Sequence, residues 1–205
     1  MALAHDGIVS RHLNRRLSGP LARALRRTPA TPNQVSAVSF GIALLSLALF
    51  IEGHNVWAGV AAQASSVVDG VDGELARLKS MATPFGGFFD AVLDRYADAA
   101  ILGGLTYWSV TFEERVSPEL TVLVGALAIV GSLVISYTRA RAEASLAGPF
   151  QGLVSSLGAR DARLLLVMVG AVAGQGFILL AALAALSNLV VAWRVALARR
   201  DAAGD

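Results

Sequence analysis

The sequence predicts an all-α integral membrane protein, with six transmembrane helices preceded by a cytoplasmic juxtamembrane amphipathic helix. Three observations predict it. Of 205 residues, 55% are hydrophobic and 16% charged, with a mean hydropathy of +0.61; a soluble domain carries about 25% charge, so this chain lacks the polar surface to cover itself. Uncharged runs recur at lengths suited to the ~30 Å hydrocarbon layer, which takes about 20 helical residues to cross. The positive charges collect at alternate ends of those runs. The same composition excludes a disordered chain. The absence of cysteine excludes a disulfide scaffold, thiolate metal sites and cysteine nucleophiles.

Residues 1–30 form the predicted interfacial segment. Val9, Leu13, Leu17, Leu21 and Leu25 recur every four residues with arginines between them. That pattern suits an amphipathic helix on the cytoplasmic leaflet, kinked at Pro20, or equally a polybasic topology signal that happens to be helical. With six Arg and no long apolar run, the segment does not read as a secretory signal peptide. Thr28-Pro29-Ala30-Thr31-Pro32-Asn33 breaks the helix, and Thr31 is the expected N-cap of the next, with Pro32 at its first position.

The membrane domain is expected over 31–200. Val35 to Ile51 is an unbroken apolar run ending at Glu52-Gly53-His54-Asn55. Val56 to Val68 is the second and meets Asp69. Phe85 to Phe112 is the third, uncharged after Asp98, and Leu120 to Thr138 is the fourth. Leu164 to Trp193 has thirty uncharged residues, ~45 Å of helix, too long for one crossing. Two spans are therefore expected, turning at Gly174-Gln175-Gly176, the first starting well before Arg160. With the N-terminus inside, six crossings leave sixteen of seventeen Lys and Arg on the cytoplasmic side, Arg115 being the exception. Five crossings would export Arg199 and Arg200. Residues 201–205 read as a frayed tail.

The chemistry concentrates in four acids. Asp69 and Asp72 are three apart near the end of the second span, and Asp90 and Asp94 four apart near the start of the third, so each pair shares a helical face. If the two spans pack as antiparallel neighbours, all four carboxylates face one another at one membrane depth. Each ionised carboxylate in lipid costs about 2.5–3.5 kcal/mol before mutual repulsion is counted. A cation is therefore expected among them, with neutralisation by the two arginines within reach as the alternative. Oxygen-only ligands select Mg²⁺ or Mn²⁺, and four acids suit two ions in a phosphoryl-transfer arrangement. Gly70, Gly73, Gly86 and Gly87 stand where backbone must approach a ligand.

Asp69, Asp72-Gly73, Ala76-Arg77, Gly86, Asp90 and Asp94 reproduce the pattern D-x₂-D-G-x₂-A-R-x₈-G-x₃-D-x₃-D at every fixed position. The chain thereby resembles the CDP-alcohol phosphotransferase (CDP-alcohol phosphatidyltransferase) family. The resemblance implies transfer of a phosphoalcohol group from a CDP-alcohol to a hydroxyl acceptor with release of CMP. It implies Asp69, Asp72, Asp90 and Asp94 as ligands of two metal ions, and Asp94 also as the base that deprotonates the acceptor. Gly73, Ala76, Arg77 and Gly86 then receive the CDP moiety, and the protein is expected to be a homodimer in the cell membrane. Asp98 lies another turn along and is expected to pair with Arg95 or to make a polar contact between helices.

On the acceptor side, Arg139 and Arg141 close the fourth span, and Arg160 and Arg163 are three apart at the fifth. Arginine forks match phosphate, so these four are candidates for a phosphorylated acceptor; otherwise they are snorkelling topology residues. The stretch Ser136-Tyr137-Thr138-Arg139-Ala140-Arg141-Ala142-Glu143 is similar to that of phosphatidylinositol-phosphate and phosphatidylglycerolphosphate synthase members. Asp6-Gly7-Ile8-Val9-Ser10-Arg11 and Arg160-Asp161-Ala162-Arg163 resemble di-myo-inositol-phosphate-phosphate synthase members. An inositol phosphate acceptor is thus the leading expectation, with phosphatidylglycerolphosphate synthesis the alternative. The CDP-alcohol would be supplied by another protein, such as a separate cytidylyltransferase, or by a removed segment, and no nucleic acid is expected as a partner. An ion-coupled transporter fits poorly, because its acids would lie near the midplane within inverted repeats. A non-catalytic assembly subunit would be expected to lack a signature acid, and none is missing.

Overall fold

The computed structural model describes residues 14–113, 115–145 and 159–201, and these form seven helices with no strand. They are α1 (Arg15–Leu25), α2 (Pro32–Ile51), α3 (Asn55–Leu78), α4 (Pro84–Phe112), α5 (Pro118–Ser145), α6 (Arg160–Val172) and α7 (Gly176–Asp201). Three of them, over Pro32–Ile51, Pro118–Ala144 and Gly176–Arg200, are long and apolar enough to cross a membrane by length and composition.

Local chemistry sets the helix boundaries. Thr31 caps α2 as expected. Its hydroxyl accepts from the Gln34 N–H at 3.4 Å while Gln34 Oε1 accepts from the Thr31 N–H at 2.9 Å, a reciprocal capping box ahead of Pro32. Thr83-Pro84 repeats the device at α4, where Thr83 Oγ1 accepts from the Gly86 N–H at 3.0 Å. At the other ends, Gly53 and Gly174 take φ of +82° and +62° just past α2 and α6, where a left-handed residue lets the last carbonyls find donors. The turn at Gly174-Gln175-Gly176 lies where the length of the apolar run requires one.

Two expectations need correction. Ala159 is extended, so α6 begins at Arg160 rather than well before it; its 13 residues make ~20 Å of helix. Asp201 is the last residue of α7 rather than part of a tail, and 202–205 lie outside the described residues. In α1, Leu17 and Leu21 are exposed and Leu25 is partly buried, while the face buried against α3 is Asn14, Ser18 and Ala22, a polar and small strip four residues apart. Val9 and Leu13, like the Asp6–Arg11 motif, lie outside the described residues.

Packing follows small residues. α2 lies along both α3 and α4, which touch each other only sparsely. Ser39 Oγ donates to the Ser65 carbonyl at 2.9 Å and Ser46 Oγ to the Ala58 carbonyl at 2.8 Å, so the buried hydroxyls of α2 find partners on α3. A methyl group added at Gly104 would stand 3.1 Å from Leu47 Cα, and one at Gly59 2.8 Å from Ala171 Cβ. These glycines let α4 approach α2 and α6 approach α3. The inside is serine, alanine and glycine around Phe50, Ile101, Leu105 and Leu180, while large apolar residues point outward: Trp57 is 67% exposed and Leu189 68%. That reverses the soluble pattern and suits lipid as the solvent.

Among the described residues, one non-glycine residue is left-handed. Ser80, at φ +55°, ends α3 with the Met81 N–H on the Ala76 carbonyl at 2.8 Å. An L-residue there costs about 1–2 kcal/mol. Ser80→Gly is expected to stabilise the protein by about 1 kcal/mol, read as a raised unfolding midpoint in detergent; an unchanged or lower midpoint would refute the strain.

Candidate active site

The acids sit where the short link between α3 and α4 returns the chain. Asp69 and Asp72 are one helical turn apart on α3, and Asp90, Asp94 and Asp98 form a stripe at four-residue spacing on α4. Asp69, Asp72 and Asp90 each offer an oxygen, all within 4.8 Å of one another. Asp72 is buried and accepts from the Ser36 hydroxyl of α2 and from the Gly73 N–H. α2 thus serves as the wedge that holds α3 and α4 apart and also as a ligand to the acid on its own side. The expected close packing of α3 and α4 as neighbours gives way to this arrangement, because serines and glycines allow α2 in between.

The remaining acids face arginine. Arg160, the first residue of α6, places Nη1 3.1 Å from Asp69 and 3.0 Å from Asp94, and Nε 2.9 Å from Asp98. Arg163 Nη2 lies 3.1 Å from Asp98, and its Nη1 donates to Ser132, whose hydroxyl in turn donates to Asp98 at 2.8 Å. Asp98 therefore pairs with Arg160 and Arg163, not with Arg95, which reaches Asp94 at 3.3 Å. Five carboxylates face three guanidinium groups. Among the described residues no cation lies within ion-pair distance of Asp72 or Asp90. An oxygen-only set of acids with uncompensated charge fits a hard divalent ion.

Two cavities flank the cluster. One, of about 230 Å³, is lined by Asn33, Ser36, Asp72, Gly73, Ala76, Arg77, Gly86 and Asp90. It brings together Gly73, Ala76, Arg77 and Gly86. A methyl group on Gly86 would stand 3.1 Å from Thr83 Oγ1 and 3.2 Å from Asn33 Oδ1, narrowing the wall. The other, of about 370 Å³, is lined by Asp90, Asp94, Arg95, Ser136, Arg139, Arg160, Arg163 and Arg194 among others. Three of the four arginines singled out in the sequence line it. Arg141 is exposed and does not, because two residues along a helix turn it away from Arg139.

Sequence reasoning missed Arg194, Ser36, Asn33 and Ser132. Arg194 is 3% exposed, and its Nη1 donates to the Ile135 carbonyl at 2.7 Å and to Thr138 Oγ1 at 3.1 Å. In the sequence it follows thirty uncharged residues, where an arginine reads as a topology marker. Burial was the missing signal.

The network makes opposite demands on two aspartates. Asp98→Asn leaves buried guanidinium groups short of their counter-charge and is expected to destabilise by about 3–5 kcal/mol. Asp72→Asn, which removes like-charge repulsion, is expected to leave stability in chelator unchanged or raised. Thermal unfolding of both variants in detergent with EDTA checks the contrast, and equal midpoints would refute it.

Comparison with known proteins gives concordant matches. The family model for CDP-alcohol phosphatidyltransferase matches residues 30–199. The chain is 42% identical over 91% of its length to the bifunctional IPC transferase and DIPP synthase of Rubrobacter xylanophilus, and covers 41% of that protein. It is 37% identical over 84% of its length to the phosphatidylinositol phosphate synthase of Mycobacteroides abscessus, covering 76% of that protein. The crystal structure of Mycobacterium tuberculosis phosphatidylinositol phosphate synthase with CDP-DAG bound superposes with a TM-score of 0.72 at 28% identity, over 88% of this chain and 92% of that one. The same enzyme in complex with manganese and citrate also gives 0.72, at 29% identity, with 87% of each chain covered.

Proposed function

We propose a reaction for this chain from one premise, that it belongs to the CDP-alcohol phosphatidyltransferase family: it transfers a phosphoalcohol group from a CDP-alcohol to the hydroxyl of a phosphorylated acceptor and releases CMP. One observation carries the reading. Asp90 lines both cavities, so the carboxylate cluster stands where the two meet, with Arg77 on one side and an arginine wall on the other.

The smaller cavity receives the CDP moiety. Gly73, Ala76 and Gly86 present backbone without bulk, and Arg77 offers a fork to the diphosphate. The larger cavity receives the acceptor, its phosphate held by Arg139, Arg163 and Arg194. Asp94, on the acceptor side of the cluster, takes the proton of the acceptor hydroxyl. The freed oxygen attacks the phosphorus that carries the alcohol, and the bond from that phosphorus to the CMP oxygen breaks in line. Two divalent ions, Mg²⁺ or Mn²⁺, held by Asp69, Asp72, Asp90 and Asp94, would supply the charge that neutralises the diphosphate and stabilises the departing CMP. An inositol phosphate acceptor is supported by the phosphatidylinositol phosphate synthases named among the relatives, and phosphatidylglycerolphosphate synthesis is the competing assignment.

The setting proposed is a six-span membrane domain with α1 on the cytoplasmic surface. Both termini and the site would then face the cytoplasm, and the chain would work as a homodimer on a CDP-alcohol made by a cytidylyltransferase. The placement of Lys and Arg supports that orientation. The outward-facing apolar side chains support a lipid surround.

CMP release by the purified protein is expected with inositol 1-phosphate and either CDP-diacylglycerol or CDP-inositol, and to be far slower with glycerol 3-phosphate; the reverse preference would overturn the acceptor assignment. Asp94→Asn is expected to lower the rate by about 10²–10⁴-fold while calorimetry still detects CDP-alcohol binding. Activity near wild type would remove Asp94 as the base.

A further inference from the structure

We propose that Arg160 is a displaceable counter-ion, holding Asp69 and Asp94 until divalent ions arrive and then swinging into the acceptor cavity to bind phosphate. This rests on the reaction proposed above and adds an order to it.

Its position is otherwise unfavourable. Arg160 is the first residue of α6, where the helix dipole disfavours a positive group. It stays because three carboxylates from two other helices surround it. Its hold on them is uneven. Nε is hydrogen-bonded to Asp98 at 2.9 Å. Nη1 stands within 3.1 Å of Asp69 and Asp94 yet has no hydrogen-bond partner, and Nη2, also buried, has none. The guanidinium is therefore hydrogen-bonded at Nε and held at Nη1 by ion pairs that are not aligned as hydrogen bonds.

Asp98 is a fixed anchor. It is 3% exposed, and Ser132 and Arg163 bond it independently of Arg160. Rotation about the Nε–Asp98 bond would move the two Nη groups without breaking the one good hydrogen bond. The space they would enter exists, because Arg160 already lines the larger cavity together with Arg139, Arg163 and Arg194.

Cation binding supplies the drive. An ion ligated by Asp69 and Asp94 cannot share those oxygens with a guanidinium at contact distance, because the two positive charges repel and compete for the same lone pairs. Displacement has two consequences for the reaction. The acceptor cavity gains a fourth phosphate-binding arginine only once the ions are in place, and Asp94 is released from its ion pair with Arg160 only then. By linkage, phosphate in that cavity must strengthen cation binding by the same factor.

The full chain in detergent tests this. In the wild type, inorganic phosphate is expected to bind about tenfold more tightly with saturating Mg²⁺ than without, inside the roughly 5–150-fold range of coupled sites. In Arg160→Gln that ratio is expected to fall to about threefold or less, while Mn²⁺ titrated alone, followed by electron paramagnetic resonance, binds about tenfold more tightly than to wild type. Arg160→Lys guards against a variant that does not fold. It keeps a charge beside Asp98 but cannot reach Asp69 and Asp94 together, so Mn²⁺ is expected to tighten there too. A Mn²⁺-soaked crystal with an anomalous peak among the aspartates is expected to show Arg160 off Asp69 and Asp94. The ion bound with Arg160 still spanning both acids, or equal Mn²⁺ affinity in all three proteins, overturns this proposal and leaves the reaction standing. No Mn²⁺ binding in any of them overturns both.

Discussion

Carboxylates that repel one another inside a helix bundle set the terms for everything around them. Asp69, Asp72, Asp90, Asp94 and Asp98 come from two helices and are partly or wholly withdrawn from solvent, so each needs partners for its charge. The structure answers with different groups for different acids. Asp98 is fully satisfied by Arg160, Arg163 and Ser132. Asp72 is held by the neutral donors Ser36 and Gly73. Neutral donors orient a carboxylate without cancelling its charge, so that acid remains able to bind a cation. Asp69 and Asp94 stand between these extremes, sharing the single Nη1 of Arg160 at 3.1 and 3.0 Å.

The acids meet although their helices hardly touch: oxygens of Asp69, Asp72 and Asp90 lie within 4.8 Å of one another, while α3 and α4 make only sparse contact. α2 stands between the two helices and contributes the serine hydroxyl that donates to Asp72. A wedge helix must be narrow where it passes, and Ser36, Ser39, Ala43 and Ser46 form its buried strip. α1 completes the same end of the bundle. Asn14 donates to Ser66 at 3.0 Å and accepts from Gln63 at 3.0 Å, fixing α1 on α3 just before the acidic turn begins. Lys79 then ties the α1–α2 link to the end of α3 through the carbonyls of Thr28 and Ala30, at 2.7 and 2.6 Å.

What could be read from the sequence divides along physical lines. Helix existence, the Thr31 cap and the turn at Gly174 follow from local chemistry, and each was legible because the signal spans only a few residues. Asp69, Asp72 and Asp90 were legible because their spacing puts them on helix faces beside a short connection. Three things were not. The α2 wedge depends on contacts between distant segments that no periodicity records. The face by which α1 packs on α3 went unread because it is made of Asn14, Ser18 and Ala22, small and polar residues that carry no hydrophobic signal. Arg194 was hidden among topology arginines, since a buried and a snorkelling arginine look alike in one dimension.

The two cavities also differ in how they are built, and this bears on specificity. The smaller one is formed by α2, α3, the Lys79–Thr83 link and the start of α4, most of it from one contiguous stretch, with Gly73, Ala76, Ala82, Gly86 and Gly87 between the side chains of Asn33, Ser36, Arg77 and Met81. The larger one collects residues from α4, α5, α6 and α7. Asp90 is the only lining residue they share. A substitution on α5, α6 or α7 therefore alters the charge and shape of the larger cavity without touching the walls of the smaller one. The arginines there are long, multiply jointed side chains on separate helices, so the charge of that cavity can change from several directions. The smaller cavity takes most of its lining from the end of α3, the link and the start of α4, and its residues appear as one compact motif for that reason.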